Sequence, residues 1–171
     1  MTRLLARFRV ALGFLSGIAV LLLAAPTRRS ILLGLPVAAA GEMIRIWAAG
    51  HLNKSREVTR SGPYRLVAHP LYAGSSLIGV GLAIGSGSVS VVVIVAVYLL
   101  LTLTAAIRSE EAFLREKFGG AYDEYRVHRV VDSDRQFSWS RAMANREYRA
   151  MAGVAVALLL LVWKATYNGM F

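Results

Sequence analysis

The sequence predicts an all-α fold: an integral membrane bundle of five transmembrane helices with a short cytoplasmic amphipathic helical segment. Three observations lead to it. The chain of 171 residues is 56% hydrophobic, it nevertheless carries a net charge of +10, and its charges lie between long apolar stretches. Such hydrophobicity excludes a disordered chain, and the lack of cysteine excludes a disulfide scaffold. We expect one membrane domain over 1–171, in contact with the bilayer and not with nucleic acid.

The apolar stretches are divided at charges and at turn residues. A membrane helix needs about 20 largely apolar residues, and the stretch 66–107 is too long for one helix. Ser86-Gly87-Ser88 divides that stretch into a hairpin, and Gly81 and Gly85, four residues apart, predict close helix packing. The five predicted spans are 10–27, 30–50, 70–85, 89–107 and 150–167.

The distribution of basic residues predicts the orientation. Of the 20 Lys and Arg residues, 16 fall on the side that holds the N-terminus, 3 on the other side and 1 within a span. Because basic loops stay in the cytoplasm, we expect the N-terminus there and the C-terminus on the opposite side. Lys164, near the end of the last span, is expected to reach an interface.

The polar segment 108–149 is the largest part outside the spans, and we place it on the cytoplasmic face. Its pattern predicts a helix from Arg108 to Phe118, a break at Gly119-Gly120 and a short helix through Val127. The stretch 132–145 is expected to be irregular, and 145–149 to be a solvated helix before the last span.

The hairpin predicts a polar pocket at its open end. Its two helices leave and return, so the segment around His69 and Tyr72 should meet Glu110 and Glu111 at one membrane face. Pro70 suits the first turn of the third span, and His69 and Tyr72, three residues apart, share one side of that helix. We therefore expect a histidine, a tyrosine and two carboxylates to lie close together at this end of the hairpin.

These residues form a pattern that resembles a known family. Gly62-Pro63-Tyr64, the run 68–75 (AHPLYAGS), Glu110-Glu111, and Phe118-Gly119 with Tyr122 and Tyr125 occur in an order similar to that of the membrane methyltransferases. These are the isoprenylcysteine carboxyl methyltransferases and the related phospholipid N-methyltransferases. The resemblance implies an S-adenosylmethionine-dependent enzyme that acts on a lipid-like or prenylated acceptor in the membrane.

The resemblance also implies site residues. The cofactor-binding candidates are His69, Tyr72, Glu110, Glu111, Tyr64 and Arg65. Ala68 departs from the family, which often has arginine there, and Arg65 is the nearest substitute. The family uses a basic residue after the second tyrosine to hold an acidic lipid-like substrate, which makes Arg129 and then Arg126 the catalytic candidates. The alternative for both arginines is attraction to anionic lipid.

Structural alternatives stand beside the site residues. Glu111 can form an ion pair with Arg115, one helical turn away, and Tyr72 can belong to an interfacial aromatic belt. Glu42 and Arg45 share one side of the second span. They predict either an ion pair that holds spans together or a functional Arg45, which would face the pocket with Trp47 and His51.

Three other functions remain open besides carboxyl methylation of a prenylated cysteine. They are N-methylation of phosphatidylethanolamine, an NADPH-dependent reaction of the sterol-reductase kind, and a non-catalytic membrane scaffold. No metal site is expected, because the three histidines show no ligand spacing and no cysteine accompanies them.

Overall fold

The structure, a computed structural model, describes residues 16–54, 56–128 and 135–169. Within these ranges it is helical and contains no strand. The elements are α1 (16–23), α2 (Arg28–His51), a 3₁₀ turn (Gly62–Arg65), α3 (Pro70–Gly85), α4 (Val89–Phe118), α5 (Gly120–His128), α6 (Trp139–Ala144) and α7 (Glu147–Tyr167). The all-α prediction is confirmed for this part of the chain.

Three of the helices are long and apolar enough to cross a membrane, namely α2, α4 and α7. The apolar helix α3 has 16 residues, about 24 Å at the usual rise, and α1 contributes the described end of the first predicted span. The chain is thus an integral membrane protein. The count of five spans stays a prediction, and residues 10–15 of the first span lie outside the described residues.

The predicted hairpin is present, with α3 ending at Gly85 and α4 beginning at Val89. Gly87 has a φ of 64°, a left-handed conformation that glycine adopts without strain. The turn is held by the start of α2, because Ala25 N–H donates to the Ser86 carbonyl at 2.8 Å and Ser30 Oγ donates to the Gly85 carbonyl at 3.0 Å.

Helices α2 and α3 approach each other backbone to backbone. A Cβ atom added at Gly41 would lie 2.6 Å from the Gly74 carbonyl oxygen, and one at Gly74 would lie 2.6 Å from the Gly41 oxygen. Gly81 packs in the same way against Gly34 and Ala38, as its predicted packing role requires. Side chains at these positions would push the two helices apart.

At the end of the bundle that holds the hairpin turn, α7 packs against the other helices. Ala24, Ile31, Val91, Leu161 and Ala165 form a buried apolar cluster that draws on the α1–α2 connection and on α2, α4 and α7. Lys164 Nζ donates to the carbonyls of residues 21 and 22 near the end of α1. Its ammonium therefore meets the unpaired carbonyls of a helix C-terminus, where a cation is stabilised.

The polar segment is only partly as predicted. Helix α4 continues through Phe118, Gly119 ends it with a φ of 49°, and α5 follows at once, all as expected. The prediction of an irregular stretch over 132–145 is wrong from Trp139 onward, because α6 begins there. Ser138 caps α6 by accepting a hydrogen bond from the Arg141 N–H, a local signal for a helix start.

Replacing Gly41 with alanine should lower the unfolding temperature in detergent by several degrees. The new Cβ would lie 2.6 Å and 2.7 Å from the backbone of Gly74 and Ile78, and such overpacking costs about 1–3 kcal/mol. Gly153→Ala is the matched control, since a Cβ there meets nothing within 4 Å and alanine favours a helix. Equal unfolding temperatures for the two variants would contradict the close approach of α2 and α3.

Candidate functional site

A cavity of about 650 Å³ opens at the end of the hairpin where α3 begins. Its walls come from α2, the loop after it, the 3₁₀ turn, α3, α4, α5 and the start of α7. Carboxylates, an arginine, a histidine and tyrosines line it together with apolar side chains. This volume is within the usual range of sites for small molecules, about 300–1,000 Å³.

His69 lies between the two adjacent carboxylates of α4. Its Nε2 is 3.3 Å from Glu111 Oε1 and its Nδ1 is 3.8 Å from Glu110 Oε2. His69 immediately precedes α3, which Pro70 starts, and 42 residues separate it from Glu111 in the chain. The predicted meeting of the two distant polar stretches is therefore present.

The two glutamates have different surroundings. Glu110 lines the cavity, whereas Glu111 Oε1 accepts a hydrogen bond from Arg126 Nη1 at 2.7 Å. Adjacent helical residues point about 100° apart, which accounts for the difference. Arg115 Nε pairs with Asp123 at 3.2 Å, so the alternative pairing of Glu111 with Arg115 is not the one observed.

The tyrosine candidates line the cavity, and the two arginine candidates that the structure describes do not. Tyr72 packs its ring against His69 with the ring centroids 5.8 Å apart, and Tyr64 is buried in the 3₁₀ turn. Ala68 also lines the cavity. Arg65 is exposed and is absent from the described lining residues, as is Arg126.

Three buried tyrosines form the wall between the 3₁₀ turn and α5. Tyr125 Oη donates to the Tyr64 carbonyl at 2.7 Å, and Tyr122 and Tyr125 are 1% and 2% exposed. Burial, assisted by the carboxylate of Glu110, raises the pKa of the Tyr64 phenol well above its usual value. Burial and the Glu111 carboxylate likewise raise the pKa of Tyr122, so both side chains are neutral phenols.

Arg45 is held by a carboxylate from the other end of the chain. Its Nε and Nη2 donate to the two oxygens of Glu147 at 2.7 Å and 3.1 Å, and its Nη1 donates to Ser75 Oγ at 2.5 Å. Arg45 and Glu147 both line the cavity. The partner expected from the sequence, Glu42, is not the one observed: within the described residues its buried carboxylate oxygens have no hydrogen-bond partner.

Two further expectations about this region are corrected. The 145–149 stretch is not simply a solvated helix, because Glu147 is 4% exposed. Arg45 does face the cavity, but Trp47 and His51 are not among its described lining residues. The His51 ring is buried against Gly62 and Phe137 instead.

The residues before α7 cap the C-terminal end of α2. Asn145 Nδ2 donates to the carbonyls of Ala49 and Leu52, each at 2.9 Å. Arg141 Nε donates to the Gly50 carbonyl at 2.9 Å and Arg135 Nη1 to the His51 carbonyl at 3.3 Å. Four consecutive carbonyls at a helix end thus find donors, and the two guanidinium groups lie at its negative pole.

Sequence reasoning missed Asn145 and Glu147 as lining residues. A signal for Glu147 was present, since Arg45 within a span requires a carboxylate and Glu147 directly precedes the last span. Asn145 gave no such signal, because its role depends on where α2 ends in space. The catalytic candidate Arg129 lies outside the described residues.

A helical membrane protein with a polar cavity at the open end of a hairpin is the class that this fold and site define. The sequence model of the phospholipid methyltransferase family matches residues 29–121. This match covers more than half of the chain, and it includes His69, Tyr72 and both glutamates. The chain therefore belongs to the phospholipid methyltransferase family, as the motif resemblance predicted, and it is a membrane methyltransferase by family.

Comparison with curated proteins gives no match, and comparison with solved structures gives none either. The family match ends at residue 121, one residue before Tyr122. The tyrosines of α5, the caps of α2 and Glu147 are thus features of this chain that the match does not cover.

Replacing Glu147 with leucine should destabilise the protein by about 1.5–3 kcal/mol, because it leaves the partly buried Arg45 guanidinium without its carboxylate. The double variant Arg45→Met/Glu147→Leu should recover at least half of that loss. Asp123→Asn, which breaks the exposed pair with Arg115, is the control and should change stability by less than about 1 kcal/mol. Equilibrium unfolding in detergent measures all three variants, and a double variant no more stable than Glu147→Leu would refute the pairing.

Proposed function

We propose that this protein is an S-adenosylmethionine-dependent methyltransferase with a membrane-borne acceptor, and that the cavity at the open end of the hairpin is its active site. The observation that carries the proposal is the cluster of His69 between Glu110 and Glu111 at the wall of that cavity. The family match supports methyl transfer in general. The cofactor, the acceptor and the residue roles are our inference.

The residues present fit the cofactor. S-adenosylmethionine carries a sulfonium and an α-ammonium group, and a site for it needs a carboxylate that faces the cavity. Glu110 is such a group, with its side chain 38% exposed and turned to the cavity. The volume of about 650 Å³ leaves room for a cofactor and the reacting part of an acceptor.

We assign separate roles to the site residues. Glu110 would offset the positive charge of the cofactor, and Tyr72 and Tyr64 would contribute to its binding wall. Glu111 would act as a positioning residue, because it contacts both His69 and Arg126 and holds them relative to α4. We place Arg65 and Arg126 at the rim of the cavity, because both side chains are exposed.

When bound, S-adenosylmethionine supplies an electrophilic methyl group on its sulfonium. The chain's own contribution is to align an acceptor atom with that group and to limit access of water, which accounts for much of the acceleration in such transfers. An amine acceptor must also lose a proton, and Glu110 is the lining carboxylate placed to accept it.

The charges of the site favour a phospholipid amine as the acceptor. An ionised carboxylate acceptor would approach Glu110 against like-charge repulsion, whereas an ammonium group would be attracted. Arg126, which was expected to hold an acidic acceptor, is already paired with Glu111. The description of the matched family as phospholipid methyltransferases points the same way.

Carboxyl methylation of a prenylated cysteine is the second candidate. The motif around His69, Pro70 and Tyr72 and the paired glutamates resemble isoprenylcysteine carboxyl methyltransferases. In either case we propose that the cavity opens to the cytoplasm, that the N-terminus lies on that side, and that the chain forms a single membrane domain.

The purified protein in detergent should bind S-adenosylmethionine, and it should not bind NADPH. Glu110→Gln and His69→Ala should each weaken the binding by about 10- to 100-fold, because hydrogen bonds and contacts to charged groups contribute about 1.5–3 kcal/mol. Isothermal titration calorimetry measures these affinities.

The matched control is Glu116→Gln, which makes the same chemical change at an exposed position of the same helix. It should leave the affinity unchanged. Binding of NADPH in place of S-adenosylmethionine would overturn the proposed function, and unchanged affinity in both site variants would overturn the proposed site.

Methyl-labelled S-adenosylmethionine should transfer its label to phosphatidylethanolamine in vesicles that contain the protein. Glu110→Gln should lower this rate at saturating cofactor, because the variant loses the proton acceptor. Extraction and chromatography of the lipids measure the label. Label found on a prenylated cysteine substrate, with none in the phospholipid, would establish the second candidate instead.

A further inference from the structure

Tyr122 presents a buried hydroxyl group that no residue of the described chain satisfies. The side chain is 1% exposed, and it lines the cavity from α5. A buried hydroxyl without a partner costs about 1–3 kcal/mol, so native proteins rarely keep one without a use. Tyr122 lies one residue beyond the segment that matches the family.

The surroundings of Tyr122 explain why the hydroxyl stays unsatisfied. Its ring is held against Tyr125, with the centroids 6.3 Å apart, and the Tyr125 hydroxyl is directed to the Tyr64 carbonyl at 2.7 Å. The partly buried Leu114 and Phe118 of α4 pack against this cluster. This packing therefore fixes the phenol ring of a residue that lines the cavity, and the ring's oxygen is left buried without a partner in the described chain.

The hydroxyl is also kept protonated. Burial and the carboxylates of Glu111 and Glu110 raise the pKa of Tyr122, while Arg126 and Arg115 oppose this shift. A neutral phenol both donates and accepts one hydrogen bond or more, so it suits a ligand with oxygen or nitrogen acceptors. Glu110 lines the same cavity, where it would meet the charged end of the proposed cofactor.

From this geometry we infer that the Tyr122 hydroxyl is a ligand-binding group that hydrogen-bonds S-adenosylmethionine directly. The inference rests on the proposed function and deepens it by adding a binding residue from α5. It assigns the two tyrosines of α5 opposite roles. The Tyr122 hydroxyl binds the ligand, and the Tyr125 hydroxyl stabilises the fold through its hydrogen bond to the Tyr64 carbonyl.

Two tyrosine-to-phenylalanine substitutions, each of which removes one hydroxyl group, separate these roles. Tyr122→Phe should weaken binding of S-adenosylmethionine and of S-adenosylhomocysteine by about three- to tenfold in calorimetry. Its unfolding temperature without ligand should be unchanged or raised, because a buried polar group without a partner is removed. Tyr125→Phe should lower the unfolding temperature, because the Tyr64 carbonyl loses its donor. Tyr148→Phe, the same change at an exposed position of α7, should leave both affinities within twofold of the wild-type values.

The outcomes are distinguishable. If the wild-type protein binds neither compound, the proposed function fails and this inference falls with it. If the wild-type protein binds them and Tyr122→Phe binds them equally well, only the inference is overturned. A lower unfolding temperature for Tyr122→Phe without ligand would also overturn it, since the hydroxyl would then have a structural partner.

Discussion

The backbone contact between α2 and α3 is the constraint on which the rest of the structure depends. Gly41 and Gly74 bring the two helices within reach of each other's carbonyls. This closeness lets Arg45 of α2 reach Ser75 of α3 at 2.5 Å. Side chains at these two glycines would push the helices apart and would alter the cavity wall where α2 and α3 meet.

The second requirement is the placement of α2's C-terminal end. Its last carbonyls belong to buried residues, and a buried polar group without a partner costs about 1–3 kcal/mol. Asn145, Arg141 and Arg135 satisfy them from a distant part of the chain. The same contacts bring Glu147 to Arg45. The capping of α2 and the Arg45–Glu147 ion pair together position the start of α7.

The sequence predicted those features that depend on local pattern. Hydropathy and the Ser86-Gly87-Ser88 turn were enough to predict the hairpin, and the hairpin was enough to bring His69 to Glu111. The end of α4 at Gly119 and the start of α3 at Pro70 followed from the conformational preferences of glycine and proline.

The features that were missed depend on contacts between distant segments. Arg45 was paired with Glu42 because they are neighbours on one helix, yet the observed partner is 102 residues away. Nothing in the pattern of α2 encodes that choice, which is made by the docking of α7. The orphan hydroxyl of Tyr122 was hidden for the same reason, since a tyrosine on an amphipathic helix is usually just part of a packed face.

The ion pair between Arg45 and Glu147 connects the segment that matches the family, which ends at residue 121, to the helix α7 that follows it. Arg45 belongs to α2, a helix inside the matched segment, and Glu147 belongs to a helix beyond it. A chain cut at residue 121 would keep His69, Tyr72 and both glutamates, and it would lose the donors that cap α2 and the carboxylate that pairs with Arg45. Helix α2 therefore depends on residues from both sides of residue 121, and a change at Arg45 would have to be matched by one at Glu147.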